Sequence, residues 1–204
     1  MLANKPFIIG LTGGIGCGKS EAANHLSTLG AVHVDADGIS RALTAPGGEA
    51  LPAIREKFGD GVFNEDGTLN RAALGAIVFE SAAHRRMLEG IIHPLVQSRT
   101  WAEIEAAGVR GEKVVVLNVP LLFETGMDVL CDETWVITAD AETQLLRVMA
   151  RGLTAEQAQA RINSQMSASE RSAKATRCIS TDRPIERTQA ELTNLYQQLL
   201  KRLG

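Results

Sequence analysis

Leu11-Thr12-Gly13-Gly14-Ile15-Gly16-Cys17-Gly18-Lys19-Ser20 is the stretch on which the reading of this chain turns. Two glycines separated by four residues, Gly13 and Gly18, followed by Lys and Ser, let the backbone curl so that consecutive N–H groups point inward at phosphate oxygens. The apolar run Phe7-Ile8-Ile9-Gly10-Leu11 ahead of it reads as a buried strand. Lys19 to Leu29 behind it reads as a helix, with Gly30 in the position that commonly closes one. A strand before the loop and the positive end of a helix after it are what phosphate binding requires, and a chance glycine-rich turn would not need either. Gly14, Ile15, Gly16, Cys17, Gly18, Lys19 and Ser20 are therefore expected to hold a nucleotide's phosphates. Lys19 would reach the terminal phosphates and the Ser20 hydroxyl would bind Mg2+. Phosphoryl transfer needs no thiol nucleophile, so Cys17 reads as a small residue filling a tight turn.

Outward from the loop, Ala31 to Val34 reads as a second strand ending at Asp35, Val114 to Val119 as a third stopped by Pro120, and Thr134 to Thr138 as a fourth. Strands alternating with helices imply an α/β fold built on a doubly wound parallel sheet. Residues 48–111 look almost wholly helical apart from a polar loop at Gly59 to Thr68. A parallel crossover needs only about a dozen residues, so this segment is expected to be a helical insertion. Pro94 is expected to end or kink its helix near His93. Beyond the fourth strand, Thr154 with Gln157 and Ser167 with Glu170 have capping-box spacing and mark two helix starts. A last helix is expected from Pro184, with Leu192, Leu195, Leu199, Leu200 and Leu203 on its core stripe.

The 204 residues are 45% apolar and 22% charged, the balance of a soluble globular protein. A net charge of -3 argues against a broad nucleic-acid surface, although eight of the 21 Lys and Arg residues fall between Arg147 and Arg187. The three cysteines are far apart and form neither a metal-ligand spacing nor a disulfide framework, which fits a reducing cytoplasm. No run has the length of a signal peptide's apolar region or a membrane helix. The expectation is a cytoplasmic protein with no membrane or nucleic-acid partner, acting as a monomer or weak homo-oligomer.

Phosphate binding alone separates neither kinases nor GTPases nor ATPases. Asp35 and Asp37 stand at the carboxyl end of the second strand, where open α/β sheets bind their ligands. One carboxylate would orient or deprotonate an attacking hydroxyl and the other would hold metal-bound water, or both simply cap the helix that follows. No Asn-Lys-x-Asp guanine signature occurs, which leaves a GTPase reading weak. Arg147 and Arg151, four apart on one helical face, are either a surface pair or a clamp over developing phosphate charge. His93 and Arg71 have plain structural readings as a helix break and a helix start.

Taken together these segments resemble the dephospho-CoA kinase family. The matching runs are Leu11 to Ser20, Asp35-Ala36-Asp37, Pro46-Gly47, Leu69-Asn70-Arg71, Val78-Phe79, His93-Pro94, Pro120-Leu121-Leu122-Phe123-Glu124, and Arg161-Ile162 to Gln165-Met166. The resemblance implies a P-loop kinase fold: a parallel sheet of about five strands, a helical substrate-binding insertion and a helical lid. The core would take residues 1–58, 112–140 and 174–204, the insertion 59–111 and the lid 141–173. It implies transfer of the γ-phosphate of ATP, with Mg2+, to the 3′-hydroxyl of the dephospho-CoA ribose. Asp35 would be the base, Lys19 and Arg147 would stabilise the transferring group, and Glu21 and Arg151 would also lie against ATP. Asp37, Arg71 and His93 would face the acceptor. The chain departs from the family pattern in three places: Cys17 stands where Ser is common, Glu21 where Thr is usual, and Ala175-Thr176-Arg177 with Ile179-Ser180-Thr181 replaces the usual segment beside the base. No base-contacting residue is carried over from that segment. Another small-molecule kinase of this fold, or a catalytically weak nucleotide-binding module, are the competing readings.

Overall fold

β1 (Phe7–Gly13) and β3 (Val114–Asn118) consist almost wholly of residues that bury on both faces, the composition of interior parallel strands. A computed structural model of the chain, describing residues 5–204, pairs them in parallel, with Phe7 opposite Val114 and Leu11 opposite Asn118. The first four residues of the expected core lie outside the described residues. With β2 (Val32–Asp35), β4 (Glu133–Thr138) and β5 (Arg177–Ser180) these strands make one sheet in the order β2-β3-β1-β4-β5, parallel at every pairing. The chain thus winds one way from β1 and then the other, so β1 sits at the switch point where a crevice opens beyond the strand ends. The glycine loop leaves β1 at that end. β5 carries only one fully buried residue, Ile179, and pairs along an edge.

α1 (Lys19–Thr28) follows the loop, and Gly30, at φ 101°, takes the left-handed turn that closes it. It packs on the last helix, α9 (Ile185–Leu203), whose N-cap is Pro184. Leu192, Tyr196 and Leu199 of α9 recur at helical spacing and enter the core beside Ile9, Leu11 and Trp135. Leu195 and Leu200 pack on that core's rim, whereas Leu203 is exposed; Tyr196 is the member of the stripe that leucine spacing alone misses. Gly10, in mid-strand, has a packing reason: a Cβ there would stand 2.5 Å from the Cys131 sulfur.

α2 (Ala36–Leu43), α3 (Leu51–Phe58), α4 (Arg71–Glu80) and α5 (Ala82–Val109) separate β2 from β3. The chain divides into two compact units, one comprising the described residues up to Asp35 with Ile104–Gly204, the other Ala36–Glu103. The helical unit therefore begins earlier than the insertion drawn at residue 59, because α2 and α3 cluster with it. Of the two outcomes expected at Pro94, an end or a kink, the helix does not take the first: α5 runs through it. The residue four before it, whose carbonyl a proline ring crowds, is Gly90, where an added Cβ would meet nothing within 4 Å. Pro94 has no N–H to give, so the helix loses one backbone bond there.

α6 (Ala141–Met149), α7 (Ala155–Asn163) and α8 (Ala168–Lys174) follow β4. Complete capping boxes, Thr154 with Gln157 and Ser167 with Glu170, start α7 and α8 as their spacing predicts.

Candidate active site

The loop between β1 and α1 is shaped by its glycines. Gly16 and Gly18 adopt φ of 82° and 85°, the left-handed region that a side chain disfavours. A Cβ on Gly13 would stand 2.6 Å from the Ile137 carbonyl oxygen of β4, so the strand leaves no room for one. Gly18 caps α1 without a side-chain hydrogen bond, which suits a helix start whose first N–H groups serve an anion.

Four side chains from distant segments brace this loop. Gln144 of α6 donates to the Ile15 carbonyl at 2.7 Å, and the Gln165 amide oxygen accepts the Ile15 N–H at 2.8 Å. The buried Thr181 hydroxyl stands 3.0 Å from the Cys17 carbonyl, donating to it. Arg147 of α6 donates to the Thr181 hydroxyl at 2.7 Å, the Thr181 carbonyl at 2.9 Å and, at 3.5 Å, the Gly16 carbonyl. The cationic head of Arg147 thus rests on the outer wall of the loop. Cys17 is buried, and burial pushes its thiol above the ordinary value against the opposing Ala139 amide and Arg171 charge. A thiol held neutral in this way has the filling role expected of it.

On the inner side, the Lys19 ammonium donates to the Asn118 amide oxygen. Asn118 ends β3, and its register partner across the parallel pair is Asp35, the last residue of β2. Strand ends, lysine and carboxylate therefore gather at one edge of the sheet. Asn118 is buried yet polar, closing the otherwise apolar Val114-Val115-Val116-Leu117. That switch from apolar to amide is the one signal in the sequence that would have found it.

Ser20 and Glu21 occupy the exposed first turn of α1. Glu21 shares a cavity of about 390 Å³ with Arg147, Arg151 and Arg183, floored by Ala22, Ile185 and Leu192. The carboxylate that departs from the family pattern thus stands among cations. Within the helical unit, Asp37 lies in the first turn of α2, and His93 is exposed in mid-α5. Arg71, at the start of α4, donates to the Thr44 hydroxyl at 2.7 Å and its carbonyl at 3.3 Å. Asn70 caps that helix by accepting the Ala73 N–H.

A sequence model of the family described as dephospho-CoA kinase matches residues 7–186. The chain belongs to the dephospho-CoA kinase family. A dephospho-CoA kinase of Symbiobacterium thermophilum is 46% identical over 91% of this chain and 78% of its own. A Thermus thermophilus crystal structure superposes with a TM-score of 0.81 at 32% identity, covering 95% of this chain and 98% of that one. The dephospho-CoA kinase from Campylobacter jejuni gives 0.74 at 25% identity, over 97% and 98% of the two chains. The fold is that of the P-loop kinases, as the strand order and these structures agree. Among the described residues no helix is long and apolar enough to cross a membrane.

Sequence reasoning named the loop, Asp35, Arg147 and Arg151. It did not single out Asn118, Gln144 or Thr181, whose partners lie 99, 129 and 164 residues away along the chain.

Proposed function

We propose that this protein transfers the γ-phosphate of ATP to the 3′-hydroxyl of the dephospho-CoA ribose, giving CoA and ADP. The observation that carries the reading is the group at the sheet edge, Lys19 bonded to Asn118 beside its register partner Asp35, at the mouth of the glycine loop. Family membership supplies the acceptor. In this reading Gly14 to Glu21 hold the donor phosphates, with Arg151 beside the nucleotide. Asp35 orients the ribose hydroxyl and takes its proton as the oxygen attacks. The Lys19 charge, aimed by the Asn118 amide, stabilises the equatorial oxygens of the transferring group, and Arg147 adds positive charge at the Gly16 end. Asp37, Arg71 and His93 of the helical unit bind the acceptor.

Magnesium fits the donors present. Among the described residues there is no cluster of three His, Cys, Asp or Glu side chains, which a metal held by protein alone would use. Magnesium instead keeps several waters and takes oxygens from the phosphates, so the Ser20 hydroxyl suffices as a direct protein ligand. Bound there, it would neutralise charge on the β- and γ-oxygens. We place the reaction in the cytoplasm, consistent with three cysteines that remain unpaired.

A coupled ADP-release assay with ATP, magnesium and dephospho-CoA tests the reading. ADP release is expected to rise with dephospho-CoA and to saturate. Release that does not respond to that acceptor defeats the assignment, and response to a different hydroxyl compound names another kinase of the same fold.

A further inference from the structure

Arg171, in α8, has a side chain only 4% exposed. Burying a cationic guanidinium without hydrogen-bond partners is costly. Its Nε and Nη2 are nonetheless two of the three buried side-chain polar atoms that lack a hydrogen bond among the described residues. The Glu124 carboxylate stands 3.6 Å from Nη2, beyond hydrogen-bond length. Glu124 is also shared, since it accepts a 3.4 Å bond from the Met166 N–H.

The surroundings of this cation are those of a phosphate site. Nη1 lies 3.4 Å from the point where a Gly14 Cβ would stand, so the guanidinium lies against the first turn of the loop. With Gly14, Cys17, Gln144, Gln165 and Met166 it lines a cavity of about 390 Å³. In the same cavity wall the Gln165 oxygen accepts the Ile15 N–H, a loop donor of the kind that meets phosphate oxygens. Gln165 supplies an oxygen but no charge, and the buried cation beside it has the Glu124 ion pair at 3.6 Å but no hydrogen bond at Nε or Nη2.

We propose, resting on the kinase reading above, that Arg171 binds the terminal phosphoryl oxygens of the nucleoside triphosphate when the Gln165–Ile15 bond gives way to phosphate. Glu124 holds the guanidinium in place at Nη2, and Nη1, the nitrogen that lies against Gly14, is the donor turned to the triphosphate. Arg171 is then a catalytic residue beside Lys19, and it distinguishes triphosphate from diphosphate.

Calorimetry of Arg171→Met and Arg171→Lys with ADP and with the β,γ-imido analogue of ATP tests this without any acceptor. Wild type is expected to bind both, and Arg171→Met to lose about tenfold to a hundredfold in affinity for the triphosphate analogue, as for one or two charge-assisted hydrogen bonds. Its ADP affinity should stay within about threefold, because the diphosphate never reaches Arg171. Equal losses for both nucleotides, or no loss for either, overturn the proposal. Thermal melts report folding; should Arg171→Met not fold, Arg171→Lys carries the test. Its γ-phosphorus resonance in bound ATP analogue should move from the wild-type position while the α-resonance stays. An unmoved γ-resonance in a folded Arg171→Lys overturns the proposal. Wild type that binds neither nucleotide defeats the kinase reading itself, which is a different failure from an unchanged preference.

Discussion

Asp35 owes its place to strand register rather than to its neighbours in sequence. Beside Ala36 and Asp37 it is equally readable as a helix cap, and α2 does begin at the next residue. The parallel pairing of β2 with β3 is what sets it opposite Asn118, and Asn118 holds Lys19. Asp35→Ala is therefore expected to lower kcat by about a hundredfold to ten-thousandfold, the contribution of a positioned base. ATP affinity, measured by calorimetry, should change by no more than about threefold, since the loop is untouched. Loss of ATP binding together with turnover would make Asp35 a structural residue instead. Asn118 escaped sequence reasoning because its one signal, an amide closing an apolar strand, names no partner; the lysine that reaches it gives it a role.

At the scale of elements, α7 and α8 are short helices that depend on their first turns. α7 has one fully buried residue, Ala158, and α8 has Arg171. With so little burial, the capping boxes of Thr154 and Ser167 carry much of their stability. Thr154→Ala and Ser167→Ala should each weaken the local helix by about 1 kcal/mol. Native-state hydrogen exchange should then quicken about fivefold at amides of the affected helix while β1 and β3 amides keep their rates. Unchanged exchange in α7 and α8 would show that tertiary contacts hold them. The caps were legible because a box is a local pattern, with both partners three residues apart. Pro94 is the converse case: its local rule allows an end or a kink, and only the folded chain shows that α5 runs on through it.

For the whole molecule, Glu133 is the tie that closes the sheet onto the chain's last helix. Its carboxylate, 8% exposed, accepts from the Trp135 indole at 2.8 Å, from Arg202 of α9 at 2.6 Å and from Arg177 of β5 at 3.2 Å. Burial by itself would raise its pKa; the hydrogen bonds from Trp135, Arg202 and Arg177 outweigh burial and hold it below the ordinary glutamate value. A carboxylate whose folded pKa is depressed stabilises fully above its unfolded value of 4.5 and loses that contribution as pH falls through the folded value. Glu133→Gln should cost about 2 to 4 kcal/mol at neutral pH, as for a buried anion losing charged donors. Urea unfolding followed by tryptophan fluorescence should show this gap intact at neutral pH and narrowing on acidification below about pH 4.5. A gap of constant size across that range would assign Glu133 a role in packing alone.

The sequence by itself determined the sheet class, the phosphate loop, the helix caps and the family. Each of these is written locally: apolar runs of strand length, a glycine spacing that shapes one turn, paired caps, and motifs in a common order. β5 was missed as a strand because an edge strand with one buried residue, Ile179, has little apolar pattern to show. Tertiary structure alone decided which side chains brace the loop. Asn118, Gln144, Gln165 and Thr181 reach it from segments about a hundred or more residues away, and it also decided that Arg171 is buried against Gly14. Strand register and helix docking set those meetings through contacts summed over the whole core, and no single segment of sequence contains that sum.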